Sequence, residues 1–279
     1  MDDVLPWPRL RDGDLVRMVS PASPPQHEGW RPWAAGLLGQ WGLDVDFGRH
    51  ADDRYGEMAG RDDDRLADLE DAFRDPAVRA IIATRGGTGA QRIASRIDPA
   101  LVRADPKPIV GFSDITYLHL ALLGRTGLTG IHGSLDAVGC RQLLFTGEPA
   151  VLRAAPSATT VPGVATGRLI GGYTSAVAAM IGAGLPSLAG AVLCLEGPGS
   201  GEVLRRPGLL EGVRGVALGD LAGEAPPDLS ALGVPVLAGL PFGHLDDPVC
   251  MPLGTTATID TEAGTLTVSA GTSAPPRSR

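Results

Sequence analysis

Residues 110–114 read Val-Gly-Phe-Ser-Asp, where an apolar strand ending in Ile109 and Val110 gives way to an amphipathic run from Ile115 to Leu123. A serine on a sharp strand-to-helix turn is pushed out of the sheet, and the helix N-terminus behind it favours developing negative charge. Ser113 is therefore the candidate nucleophile, and the stretch reads as a nucleophile elbow. The pattern is not Gly-x-Ser-x-Gly, since Ile115 replaces the second glycine. A serine in this place also has a plainer use as a helix N-cap.

Upstream of the elbow, Trp30, Trp33, Ala34, Leu37, Leu38 and Trp41 recur on one helix face, and Leu43, Val45 and Phe47 alternate as a strand does. Asp62 to Arg74 has an acidic first turn and stops at Pro76, and Val78 to Ala83 is a short apolar strand. This alternation through about residue 135 predicts a parallel sheet of βαβ units whose crevice lies at the carboxyl ends of the strands. Residues 146–166 are rich in Pro, Ala and Thr without a period and read as a linker. Beyond it come strands at Arg168 to Ile170, Ala191 to Leu195, Val213 to Leu218 and Pro235 to Leu240, with a helix near Ser175 to Ile181. A hairpin, Thr256 to Asp260 against Thr265 to Ser269, closes the pattern. The expected fold is thus α/β: an N-terminal parallel-sheet domain (1–145) carrying the elbow, a linker, and a smaller C-terminal α/β domain (167–270) ending in the hairpin. Residues 271–279 read as a disordered tail.

The second half supplies an acid and a base. The apolar strand Gly-Ala-Val-Leu-Cys-Leu-Glu-Gly (190–197) ends on Glu196, a charge that needs a partner there. His244 sits in the loop Gly-Leu-Pro-Phe-Gly-His (239–244) after another apolar strand. Ser113, Glu196 and His244 are then three strand-end residues suited to nucleophile, orienting acid and base. The glycines of Arg-Gly-Gly-Thr-Gly-Ala (85–90) match neither a P-loop nor a dinucleotide fingerprint. Their bare amides suit an oxyanion, with the amide of Asp114 as second donor. His132 ends a strand and reads as a loop or packing histidine, while His27, His50 and His119 have no partner pattern.

The net charge of −8, with Lys107 as the single lysine, argues against a nucleic-acid partner. Tyr173 to Leu195 is broken by Gly182, Gly184 and Pro186, so no membrane span is expected, and the start of the chain has no export pattern. A cytoplasmic protein is the expectation. Cys140, Cys194 and Cys250 lack zinc-ligand spacing and read as buried structural thiols. Cys194 is the sharper alternative nucleophile, but the carboxylate two residues on raises its pKa. Neither a metal nor a cofactor is expected.

Taken together, these motifs resemble the LD-carboxypeptidase family of serine peptidases, which includes murein tetrapeptide carboxypeptidases and microcin C self-immunity hydrolases. The likeness rests on Val-Ser-Pro-Ala-Ser (19–23), Asp-Asp-Arg-Leu-Ala-Asp-Leu-Glu-Asp-Ala-Phe (63–73), residues 85–90, and Gly-Phe-Ser-Asp-Ile-Thr-Tyr-Leu-His (111–119). It continues through Gly171-Gly172, Leu195-Glu196, Leu-Gly-Asp (218–220), residues 239–244 and Pro252-Leu253-Gly254. The resemblance implies a Ser113, Glu196, His244 triad with the oxyanion held by backbone amides near Gly87 and Asp114, two domains, a homodimer and no metal. The sequence departs from the family at Thr88, usually Tyr, at Tyr173, usually Asn, at Ser134, usually Pro, and in a shortened stretch after Glu196. Those positions suit a substrate cleft better than a triad. The expected substrate is a small peptide, its terminal carboxylate met by Arg85 with Thr88 and Tyr173 nearby. A hydrolase of a peptidyl or aminoacyl nucleotide, and a non-catalytic binding module on the same fold, are the competing readings.

Overall fold

The computed structural model describes residues 4–156, 160–205 and 208–273. After a short β1 (Trp7–Pro8), the chain runs through β2 (Leu15–Val19), α1 (Trp30–Gln40), β3 (Asp44–Phe47), α2 (Asp62–Arg74) and β4 (Val78–Ala83). It continues through α3 (Ala90–Ala94), α4 (Pro99–Ala104), β5 (Ile109–Gly111), α5 (Thr116–Thr126) and β6 (Gly130–His132). Strands β2 to β6 pair in parallel, in the order β6-β5-β4-β2-β3. Val16, Ile81, Ile82, Val110 and Ile131 are wholly buried, as expected of a parallel sheet covered by helices.

Helix α2 shows why the sequence folds as it does here. Its start is closed by Asp64, whose Oδ2 accepts the Arg61 amide at 3.0 Å, and Leu69, Ala72 and Phe73 turn inward. Its other end is closed by the buried Lys107, whose Nζ donates to the carbonyls of Ala72, Phe73 and Asp75 at 2.8, 2.8 and 2.5 Å.

The second half comprises α6 (Cys140–Phe145), β7 (Ala150–Arg153), β8 (Val164–Tyr173), α7 (Thr174–Met180), β9 (Ala191–Glu196), α8 (Ser200–Leu204) and β10 (Gly215–Leu218). It ends with β11 (Val236–Leu237), β12 (Met251–Leu253), β13 (Thr256–Asp260), β14 (Thr265–Val268) and β15 (Thr272–Ser273). A seven-stranded sheet is ordered β11-β10-β9-β8-β13-β14-β7, with β8 to β11 parallel and the β13-β14-β7 side antiparallel. The half expected to be smaller therefore carries the wider sheet.

Three expectations need correction. The stretch read as a linker contains β7 and the start of β8, because Ala150 and Leu152 alternate inward against β14; its residues 157–159 lie outside those described. The tail begins later than expected: Thr272–Ser273 pairs in parallel with β1, and residues 274–279 lie outside those described. Finally, β12 crosses to the first sheet, pairing antiparallel with β6 as its edge strand. Pro252 is tolerated there because an edge strand has one side without a ladder to complete.

Candidate active site

Ser113 has φ 60°, a left-handed backbone that only one other non-glycine described residue, Ala222, shares. Such a conformation costs roughly 1–3 kcal/mol and persists only where its surroundings impose it. Ser113 to Ile115 form a single 3-10 turn leading into α5, and the N-cap positions of the turn and of the helix fall on Phe112 and Ile115, not on Ser113. The N-cap alternative is thus not what the chain adopts. Opposite the turn lies Gly86, where a Cβ would stand 2.8 Å from Ser113 Cβ and 3.1 Å from its Oγ.

The glycine loop is braced on both sides. Ser23 donates its amide to the Gly86 carbonyl at 3.1 Å and accepts the Thr88 amide on Oγ at 3.2 Å. Arg65, almost wholly buried, donates from Nη1 to the carbonyls of Pro21 and Gly89 at 2.7 and 2.8 Å. Gly87 has φ 104°, and a Cβ on it would overlap Ser23 Oγ at 2.2 Å. Among the described residues its amide has no hydrogen-bond acceptor.

Glu196 ends β9 and is completely buried. His244 Nδ1 donates to its Oε2 at 2.8 Å, while 44% of the His244 side chain stays exposed. Gly243, at φ 107°, lets the loop come this close, since a Cβ there would sit 3.0 Å from Glu196 Oε2. Burial pushes the Glu196 carboxyl above its ordinary range and the His244 bond pulls it back. The same bond raises His244 above its ordinary value, against its partial burial. The two halves meet here because Thr116, three residues past Ser113, accepts the Tyr173 amide on Oγ1 at 3.0 Å, and Tyr173 is the strand partner of Glu196. A Cβ on Gly172 would fall 2.7 Å from that Thr116 Oγ1.

Glu196 and His244 are thus directly bonded. No hydrogen bond joins Ser113 to His244 among the described residues; the ring of Phe112, next to Ser113, lies 4.9 Å from the His244 ring, and Tyr173 lies 5.5 Å from it. Arg85 and Thr88 line a polar cleft of about 510 Å³ that also touches Gly87, Ser23, Gln26, Arg54 and Glu57. With its amide turned so that the oxygen faces a donor, Gln26 accepts from Arg85, 2.9 Å from Nη2 and 3.2 Å from Nη1. Arg54 and Glu57 escaped the sequence reading because the loop before α2 has no period to place them.

His132 is buried, as expected of a packing histidine, and its Nε2 lies 3.8 Å from Glu196 Oε1. His119, inside α5, is buried with its ring bonded to the Gly111 carbonyl at 2.9 Å, and burial lowers it to about 4. His50 does have a partner: its Nδ1 bonds Asp53 at 2.8 Å, and Asp64 brings a third potential ligand atom to the cluster. Asp64 is already engaged in the α2 cap. The three cysteines are free and buried; burial holds the Cys194 thiol well above its ordinary value, and a hydrogen bond with Cys140, with burial second, does the same for Cys250. Among the described residues no helix is long and apolar enough to cross a membrane.

Two family models match this chain: the LD-carboxypeptidase N-terminal domain over residues 16–133 and the LD-carboxypeptidase C-terminal domain over residues 166–259. A Streptomyces coelicolor protein bearing a carboxypeptidase name is 37% identical over 294 residues, covering 93% of this chain and 94% of its own. The murein tetrapeptide carboxypeptidase of Pseudomonas aeruginosa is 31% identical over 260 residues, covering 78% of this chain and 84% of its own. In fold, the chain is similar to the crystal structure of an MccF-like protein from Bacillus anthracis, with a TM-score of 0.82 at 24% identity, over 96% of this chain and 100% of the other.

Proposed function

Because the chain belongs to the LD-carboxypeptidase family of serine peptidases, we propose that it hydrolyses the C-terminal amide bond of a small murein-type peptide through Ser113, His244 and Glu196. The observation that carries this reading is the hydrogen-bonded pair of a fully buried Glu196 and a half-exposed His244, together with a serine held at positive φ.

In this reading Ser113 Oγ attacks the scissile carbonyl carbon while His244 Nε2 takes the hydroxyl proton. The bond to Glu196 places the Nδ1 proton and stabilises the imidazolium that forms. The new oxyanion faces the amides of Gly87 and Asp114. His244 then gives its proton to the leaving amine as the C–N bond breaks, and water releases the acyl group from Ser113 by the same steps in reverse. Serine–histidine pairs often stand apart without substrate and tighten when it binds. Arg85, with Thr88 beside it, supplies charge-assisted bonds to the terminal carboxylate.

A second reading, hydrolysis of an aminoacyl nucleotide, draws support from one contact: Tyr173 packs by His244, where a base could stack on it. The deciding assay compares an L,D-linked tetrapeptide ending in D-alanine with its C-terminal amide and with an aminoacyl sulfamoyl adenosine. Preference for the free carboxylate supports the peptidase; cleavage of the adenosine conjugate alone favours the second reading. Binding of all three without turnover would favour a non-catalytic module.

A further inference from the structure

A buried carboxylate needs both of its oxygens satisfied, and Glu196 has a hydrogen-bond partner on one only. Oε2 accepts a hydrogen bond from His244 Nδ1, while Oε1 is buried with no hydrogen-bond partner among the described residues. A second orphan stands close to it: among the described residues both ring nitrogens of His132 are buried without a hydrogen bond, and Nε2 stands 3.8 Å from that same Oε1. Two buried polar groups without partners are costly separately, and each is able to satisfy the other.

The walls around His132 leave its ring little freedom. Phe112 and Phe242 meet it edge to face, each with centroids 6.1 Å away and interplanar angles of 78° and 85°. A Cβ on Gly172 would lie 3.4 Å from its Nδ1, so that side is closed by bare backbone. Its position at the end of β6 is set on one side by β5 and on the other by Met251 of β12. The titratable groups around it are Glu196 on β9, His244 in the loop with Asp220 beyond, His119 on α5 and Cys250 ahead of β12.

Resting on the reading of Glu196 and His244 as the working pair of a serine hydrolase, we infer that His132 is a positioning residue for Glu196: a neutral imidazole carrying its proton on Nε2, aimed at Oε1. The N–H dipole favours the ionised carboxylate and resists its rotation, which keeps Oε2 on His244 Nδ1. Burial lowers His132 to about 3, with His119 and His244 adding to the effect, so the ring stays neutral across the working range. A cation there would compete with His244 for the carboxylate. A neutral donor supports it.

The test uses two amides that differ by one methylene, with an apolar control. His132→Gln places an amide nitrogen where Nε2 stood, whereas His132→Asn ends near Nδ1 and His132→Phe removes the donor while keeping the ring. With the Phe and Asn variants kcat falls roughly tenfold to hundredfold, as for a misplaced catalytic group, with KM within about twofold of the parent. His132→Gln stays within a few-fold of the parent. Independently of any substrate, the carboxyl ¹³C signal of Glu196 in the free protein titrates at higher pH in the Phe and Asn variants and at the parental position in the Gln variant. Equal losses in Gln and Asn, or a Glu196 titration that does not move, would overturn the assignment. Should the parent cleave no peptide, the carboxyl titration still decides it, and the failure then belongs to the substrate reading alone. If His132→Phe does not fold, the Gln and Asn pair carries the same comparison.

Discussion

Asp114 Oδ2 accepts the Ala90 amide at 2.7 Å, which makes the turn that presents Ser113 and the glycine loop facing it one rigid piece. Removing that acceptor leaves the first amide of α3 buried and unpaired. We expect Asp114→Ala to cost about 1–3 kcal/mol of stability, read by urea unfolding. Its kcat should fall further than stability alone requires, because Gly87 is released with the loop.

If Ser113 and His244 act as a unit, each alanine variant should lose turnover by several orders of magnitude and the double variant should be little worse than either. Single-turnover and steady-state rates on the tetrapeptide measure this. Losses that multiply would show that the two residues work independently.

The His244 base is competent only when neutral, and its bond to Glu196 raises its pKa above the ordinary 6.5. The profile of kcat/KM against pH should therefore rise through a limb centred above that value and fall off as pH drops through it. Glu196→Gln removes the anion that holds the imidazolium, so the limb moves down while the plateau drops by roughly 10⁴. A limb that stays in place would separate Glu196 from the titrating group.

Much of this arrangement is legible in residue order, and the remainder has a physical reason for being hidden. The elbow, Glu196 and His244 can be read because each follows an apolar run that must be a strand, and a charge at the end of a buried strand advertises a partner. Strand β12 cannot be read: Met251, Pro252 and Leu253 are three residues with a proline among them, and they are extended only because β6, some 120 residues earlier, offers an edge. Strand β7 hides in the same way inside a proline-rich stretch. The role of His132 depends on a contact with Glu196 across 64 positions, which spacing along the chain cannot encode.

Lys107 closes three carbonyls at the end of α2 from a fully buried position. Lys107→Met keeps the aliphatic volume and leaves those carbonyls without their donor. A loss of about 2–4 kcal/mol is expected, seen as a lower urea midpoint with an unchanged slope. Activity per folded molecule should stay near the parent.

All three cysteines are buried, and the thiols of Cys194 and Cys250 are pushed above their ordinary value. Brief treatment of the folded protein with iodoacetamide should leave activity intact, with mass spectrometry showing unmodified thiols until denaturant is added. Rapid inactivation with one alkyl group per chain would point to a cysteine in the chemistry.

The crossing of β12 to the first sheet sets a clock on the enzyme. The strand beside His132 is the last to arrive there, and until Leu253 has left the ribosome β6 is an open edge. At about 5–20 residues per second, an interval of about 120 residues lasts roughly 6–24 s. During that interval the serine turn has been synthesised, but the strand that completes its sheet has not. A nascent chain, or one truncated before Met251, therefore carries the serine turn on a sheet whose β6 edge is still unpaired.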